Sequence, residues 1–334
     1  MSRIGLVAIG RNEGERLRHC LESVVRQVAQ VVYVDSGSTD QSVALARSLG
    51  VEVVELDLSI PFTAARARNA GFARLLELNP QLEYVQFVDG DCEVVSGWLD
   101  RAQQELDANS DAVVVCGRRR ERFPAATIYN RLCDLEWDTP VGEAKACGGD
   151  ALMRISAFQA VGGYNPTLIA GEEPELCVRL RQNGGKIFRI DAEMTLHDAQ
   201  MTRFSQWWKR SVRAGYAYAE GAFLHGAPPE QHWVKETRSI RLWGIVIPAI
   251  SWLAALPTHG LSLLLLAGYP LMTYRIYQYA CKIGRDRQDA RLFAASCMLA
   301  KFPQAQGQIR FYWGRLFKQP SQLIEYNIPS PTPY

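Results

Sequence analysis

No C-x-x-C pair occurs among the eight cysteines, and the five histidines form no cluster at zinc spacing. A zinc finger is excluded on that ground. The 26 glycines nowhere assemble a G-x-G-x-x-G or G-x-x-x-x-G-K-[ST] run, so a phosphate would find neither a dinucleotide fingerprint nor a P-loop cradle. The opening MSRIGLVAIGRNE carries an apolar run too short for a signal peptide, and a reducing, cytoplasmic compartment is the expectation. Charge is missing altogether from the 33 residues between Arg241 and Arg275. A stretch that long suits a membrane better than a nucleic-acid groove.

The remaining composition is that of a folded protein. With 334 residues, 48% hydrophobic and 22% charged, the chain is long enough for one large or two ordinary domains. Its net charge of +2 conceals an asymmetry. Residues 1–198 carry 21 Lys and Arg against 29 Asp and Glu, whereas residues 199–334 carry 16 against 6. The basic part contains the uncharged stretch, so an anionic membrane face is the expected partner and nucleic acid is not.

The first part alternates buried runs with helical spacing. Ile4 to Ile9 reads as a strand, followed by Leu17, Cys20, Leu21, Val24 and Val28 on one helix face. VVYVD (Val31 to Asp35) is a second strand, SGSTD a turn with Thr39 or Asp40 set to cap the next helix, and VEVVELD (Val51 to Asp57) a third strand. Thr63 to Leu78 reads as a helix, and YVQFVDGDCEV (Tyr84 to Val94) as a strand that stops at two carboxylates. Such alternation implies an α/β fold, with a parallel sheet covered by helices on both faces. Asp35, Asp57, Asp89 and Asp91 then leave the carboxyl ends of their strands, where open α/β sheets collect ligands. Asp89 and Asp91 can face a hard cation, although an Asp-Gly-Asp sequence is also common as a solvated turn. For Arg118, Arg119 and Arg120, a solvated face is at least as good a reading as a functional one.

From these motifs the sequence resembles the family 2 glycosyltransferases, whose GT-A fold is a nucleotide-sugar-binding α/β sheet. IGLVAIGRNEGERLRHCLESV resembles the family's opening strand and helix, VVYVDSGSTDQS its nucleotide-contacting turn, RARNAGF its Arg-Asn-x-Gly helix start, and FVDGDCEV its D-x-D strand. GGDALMRISAFQAVGGYNPTLIAGEEPELCVRLRQNGGKI resembles the acceptor-side stretch that ends in an acidic motif and helix. The likeness covers about residues 4 to 198.

The resemblance implies roles for particular residues. Asp35 would contact the base, Asp40 the nearby nucleotide, Asp89 the ribose or the water shell of a metal, and Arg68 the donor phosphates. Asp91 would ligate Mg2+ or Mn2+, and His197 would complete the metal shell, imidazole suiting Mn2+ better than Mg2+. Glu173 stands where the family has an aspartate base; its extra methylene extends the carboxylate by about 1.5 Å. Glu172, Glu173 and Glu175 around Pro174 also suit the first turn of a helix on any account. Asp150 and Gly149 would lie near a sugar. QWWKR stands where processive members carry Gln-x-x-Arg-Trp, and this departure argues against a polymerising enzyme.

The expected organisation is a GT-A catalytic domain over residues 1–198, with a mostly parallel sheet flanked by helices, and a C-terminal helical, membrane-associated region. That region divides into basic aromatic interfacial helices (199–240), a membrane hairpin or two short transmembrane segments (241–275), and a basic helical part with a Pro-rich tail (276–334). Each half of the uncharged stretch holds about 15 residues, or roughly 22 Å of helix, short of a hydrocarbon core of about 30 Å. The flanking arginines and lysines place both ends, and the catalytic domain, on the cytoplasmic side of an inner or plasma membrane. The expected activity is inverting, metal-dependent transfer of one sugar from a nucleotide sugar, a UDP-sugar first, to a saccharide or lipid-linked acceptor in envelope or exopolysaccharide synthesis. A polyprenyl-phosphate sugar synthase and a membrane-anchored nucleotide-sugar-binding protein without catalysis are the alternatives.

Overall fold

The structure, a computed structural model, describes residues 2–319 and 324. The Pro-rich tail expected at the chain end lies outside the described residues. Two compact units form: residues 1–123 with 136–199, and residues 124–135 with 200–334.

The first unit begins with β1 (Ile4–Gly10), α1 (Glu15–Glu22), β2 (Gln30–Asp35), α2 (Ser42–Ser48), β3 (Glu52–Glu55), α3 (Ala64–Leu78), β4 (Tyr84–Asp89) and β5 (Cys92–Val94). α4 (Trp98–Ala108) and β6 (Ala112–Glu121) follow, and α5 (Ile128–Trp137) begins in the second unit. β7 (Gly142–Ala144), β8 (Ala151–Arg154), α6 (Ile155–Ala160), α7 (Glu172–Gln182) and β9 (Lys186–His197) complete it. The nine strands make one sheet in the order β3-β2-β1-β4-β8-β6-β9-β5, with β7 also on β9. β1, β2 and β4 are nearly continuous buried runs, as expected of strands covered on both faces. α1 lays Leu17, Cys20 and Leu21 against this layer, and Thr63 caps α3 by accepting the Arg66 N–H at 3.1 Å.

Two expectations need correction here. The sheet is mixed rather than mostly parallel: β3-β2-β1-β4 and the β6-β9 pair are parallel, while β8, β5 and β7 pair antiparallel with their neighbours. Three short strands inserted after β4 reverse the chain, and none is long enough to stand out as a periodic run. β6 also continues through Arg118, Arg119 and Arg120 to Glu121, with register shifts against β9 that accommodate the charges.

In the second unit, α8 (Phe204–His225) packs along α13 (Lys301–Leu316), and α12 (Arg287–Leu299) packs on α11 (Gly268–Lys282). The α8–α13 backbones approach so closely that a Cβ added at Gly215 would sit 2.0 Å from the Gln304 carbonyl oxygen. α9 (Val234–Arg241), a π-helical turn (Leu242–Val246) and α10 (Ile247–Leu253) run on from one another, and a 3-10 stretch (Leu261–Ala267) leads into α11. A membrane hairpin or two short transmembrane segments were expected over 241–275. Among the described residues no helix is long and apolar enough to cross a membrane. The turn at Pro257 to Gly260, where His259 and Gly260 take positive φ, reverses the chain before either apolar arm reaches spanning length.

Candidate active site

β4 ends at Asp89, and Gly90 turns the chain so that Asp91 follows on the way into β5. β5 pairs with β9 antiparallel and sets Cys92 opposite His197. Asp91 Oδ2 consequently lies 3.2 Å from His197 Nε2, with both side chains largely enclosed. Glu121 Oε2 stands 3.7 Å from His197 Nδ1, on the far side of the ring, and the Trp137 ring meets the imidazole edge-on at 4.7 Å. Burial opposes a charge on His197, but the Asp91 carboxylate, with Glu121 behind it, raises its pKa to about 9. Burial would likewise raise Asp91, yet His197 holds it well below the usual carboxylate range.

A divalent cation fits this pair. One ligand atom each from Asp91, Cys92 and His197 lies within 4.8 Å of the others, and a carboxylate oxygen beside an imidazole nitrogen is a donor set that Mn2+ accepts.

Asp89 is committed elsewhere. Arg68 Nη2 donates to its Oδ1 at 2.6 Å and Arg119 Nη2 to its Oδ2 at 3.3 Å, so two guanidinium groups bracket one carboxylate. Arg68 also donates from Nη1 to Glu172 Oε1 at 2.7 Å and is buried beneath the Tyr164 ring. It therefore ties α3 to β4 and to the first turn of α7. Against the desolvation of burial, Arg68 and Arg119 hold the Asp89 carboxyl below its ordinary value. Gly149 packs closely here: a Cβ would meet Asp89 Oδ2 at 3.0 Å and Arg119 Nη2 at 3.1 Å, so either side chain would have to shift. Asp150 is fully buried; it accepts from Arg119 Nε at 2.9 Å, from the Thr195 hydroxyl at 2.7 Å and from the Asp89 N–H at 3.2 Å. Its carboxylate is thus an internal strut.

Asp35 organises the turn after β2. Its Oδ2 accepts the N–H groups of Gly37 at 2.9 Å and Ser38 at 2.8 Å, and its Oδ1 accepts the Tyr33 hydroxyl at 3.0 Å. Asp40 is exposed and accepts the Ser42 N–H at 3.0 Å as α2 begins. Asn12 joins this turn to β1, its Oδ1 accepting the Thr39 N–H at 2.7 Å. Asp57 lies beyond β3, exposed, and its carboxylate accepts the Ser59 N–H at 2.9 Å. Because β2 and β1 separate β3 from β4, Asp57 does not join the other carboxylates.

The three glutamates of α7 part company. Glu172 pairs with Arg68, and Glu175 with Arg179 one turn on at 2.7 Å. Glu173 is buried: its Oε1 accepts the Cys147 N–H at 2.6 Å and lies 3.0 Å from the sulfur atoms of both Cys147 and Cys177. Burial raises its pKa, with the thiol and amide donors working against that rise.

Two residues were not singled out from sequence. Glu13 is pushed up to about 7 by burial and by the nearby Asp91 charge, and pairs with Arg16 at 2.6 Å. Its position just after β1 was the available signal, but only the β1-β4 adjacency makes that position matter. Arg119, one of three arginines left open between surface and site, is enclosed between Asp89, Asp150 and the Trp137 ring.

Residues 7–156 match the family model described as Glycosyl transferase family 2. Those residues form a domain of that family. Among curated relatives, this glycosyltransferase is 26% identical over 242 residues to the succinoglycan biosynthesis protein ExoA of Rhizobium meliloti, covering 69% of this chain and 72% of that protein. It is 24% identical over 229 residues to the pre-mycofactocin glycosyltransferase of Mycobacterium tuberculosis, covering 64% of this chain and 46% of that one. Its fold matches the mannosyltransferase PcManGT from Pyrobaculum calidifontis, solved with GDP-Man and Mn2+, with a TM-score of 0.60 and 16% identity over 94% of this chain and 88% of that chain. The glucosyl-3-phosphoglycerate synthase of Mycobacterium tuberculosis, solved with Mn2+ and UDP-glucose, gives 0.50 and 16% identity over 67% and 79%. The first unit of this glycosyltransferase is accordingly a GT-A fold, a mixed sheet with flanking helices.

Proposed function

We propose that this glycosyltransferase moves one sugar, with inversion, from a nucleotide-sugar donor to a saccharide acceptor carried on a lipid, in the synthesis of an envelope or extracellular polysaccharide. A UDP-sugar is the first donor to test. The observation that carries this reading is the spatial order at the site: the Asp91–His197 pair, the Arg68 link from Asp89 to Glu172, and Glu173 beside Glu172 on the same helical turn. Asp91 and His197 would hold Mg2+ or Mn2+, which when bound neutralises the charge of the donor diphosphate. The turn fixed by Asp35, with Asp40 at its exposed end, receives the base and ribose. Arg68 and Arg119 keep Asp89 ionised and oriented toward the same nucleotide.

Glu173 is assigned the general base. The acceptor hydroxyl must lose its proton as its oxygen bonds to the anomeric carbon, and the nucleoside diphosphate departs with the electron pair of the broken bond. A carboxylate raised by burial accepts that proton more readily than an exposed one. Relatives and fold neighbours whose names refer to succinoglycan synthesis, GDP-mannose and UDP-glucose support the substrate class.

The second unit supports attachment to the cytoplasmic face of an inner or plasma membrane. Around the hairpin turn, Trp252, Leu253, Leu256, Leu261 and Leu264 are each at least two-thirds exposed. Two hydroxyls at the turn are satisfied within it: that of Thr258 donates to the Ala254 carbonyl, and that of Ser262 to the Ser251 carbonyl at 2.8 Å. Apolar arms of roughly 22 Å, flanked by Arg238, Arg241, Arg275, Lys282 and Arg287, suit a hairpin that enters the bilayer and returns to the same side.

Titration calorimetry with nucleoside diphosphates and their sugars, with and without Mn2+, tests the donor assignment. The expected result is selective, cation-dependent binding of one nucleotide, UDP ranking first. Absence of binding by every nucleotide under both conditions would remove the reading.

A further inference from the structure

Beyond the Asp91–His197 pair, the first unit contains a second cluster able to ligate a metal. Cys147, Glu173 and Cys177 each offer one ligand atom, all within 4.8 Å of one another. The two sulfur atoms are 3.7 Å apart, and Glu173 Oε1 is 3.0 Å from each. A tetrahedral zinc ion with Zn–S bonds of about 2.3 Å sets its sulfur atoms roughly 3.8 Å apart, so the thiols already stand at that separation. The sulfur–oxygen edges need to lengthen to roughly 3.5 Å, a shift within reach of a Glu side chain on the first turn of a helix.

We propose that Cys147, Cys177 and Glu173 form a binding site for a thiophilic divalent cation, Zn2+ or Cd2+, distinct in chemistry from the Asp91–His197 site. Two soft sulfur ligands select such cations over Mg2+ and Mn2+, which prefer oxygen. The elements that carry the site are fixed: Cys177 and Glu173 lie one turn apart on α7, and the Cys147 N–H donates to Glu173 Oε1 at 2.6 Å and so orients the carboxylate. Gly148, next to Cys147, has open space where a Cβ would be, so the backbone beside the site is not packed over there. Binding releases two protons, one from each thiol, and leaves the cation held by two thiolates and one carboxylate. If Glu173 acts as the base, occupation takes the base away and stops transfer. That consequence rests on the proposed function, whereas the site itself does not.

The test is a titration of the full-length, metal-stripped protein with Cd2+, followed by the thiolate-to-cadmium charge-transfer absorbance and by thermal melting. One equivalent per chain should produce the band and raise Tm, a tenfold excess of Mn2+ should leave the band in place, and Cys297→Ser should behave as wild type. Cys147→Ser/Cys177→Ser should lose the band. If that double variant fails to fold, Glu173→Gln serves instead, with at least tenfold weaker Cd2+ binding expected. A wild-type protein with no band, or a band that persists at full strength in the folded double variant, overturns the site. Cd2+ that binds with the expected band yet leaves sugar transfer untouched would keep the site and count against Glu173 as base.

Discussion

Asp91 and His197 face each other at 3.2 Å because β5 is laid antiparallel against β9, which brings together residues 106 positions apart. Neither residue's immediate sequence neighbourhood specifies that meeting. If the pair holds the cation that binds the donor, Asp91→Asn should weaken cation-dependent nucleotide binding by at least tenfold and abolish turnover. Calorimetry with and without a chelator measures this directly. Equal donor affinity in variant and wild type, insensitive to chelation, would remove the metal from Asp91.

Arg119 should matter for stability before it matters for chemistry. It neutralises the fully buried Asp150 and shares Asp89 with Arg68, so Arg119→Leu strands a carboxylate inside the sheet. The expected cost is about 3–5 kcal/mol, read from the denaturant midpoint of the first transition. A loss under about 1 kcal/mol would mean that Asp150 finds another partner.

These two residues also show how far the sequence could be read. β1, β2 and β4 were legible as apolar runs, the last two ending in acids, because strands buried on both faces have few other ways to be written. The helix from Thr63, Leu17 and Cys20 as core, and the Asp35 turn followed from local rules. Arg119 resisted such reading because a run of three arginines resembles a solvated face, and only continuation of β6 past Gly117 encloses the middle one. Glu13 was hidden for a related reason, since its importance comes from the adjacency of β1 and β4. The reversal from parallel to mixed pairing depends on strands of three and four residues, too short to carry a period. The thiol shell of Glu173 joins Cys147 to a helix that begins 25 residues later. Scattered cysteines gave no spacing from which to foresee it.

In the second unit, Glu220 should impose a pH dependence on stability. Burial raises its pKa to about 7, with Arg315 opposing the rise. Between the ordinary carboxylate value and about 7, the folded state therefore binds more protons than the unfolded state, and stability falls as pH increases through that window. Glu220→Gln should flatten this slope and stabilise the unit by up to about 3 kcal/mol above pH 7. Melting curves from pH 4.5 to 8 provide the comparison. An unchanged slope in the variant would assign the dependence to other groups.

The exposed hairpin gives a membrane prediction. Replacing Trp252, Leu253 and Leu256 together by Ser removes much of the apolar surface at the turn while leaving the flanking cations. Flotation with anionic vesicles should fall severalfold for the triple variant, and high salt should weaken but not abolish binding of wild type. Recovery of wild-type protein free of vesicles at low salt would count against membrane attachment.

The assignment of Glu173 as base is tested most directly by comparing turnover with donor affinity in Glu173→Gln, using Mn2+ with the donor ranked first by calorimetry. The side chain keeps its shape and can still accept from Cys147, but it can no longer take the acceptor's proton. Turnover should fall by about 10²-fold or more while donor affinity stays within twofold of wild type. Wild-type turnover in the variant would contradict the assignment and favour an acceptor that is already ionised, such as a polyprenyl phosphate.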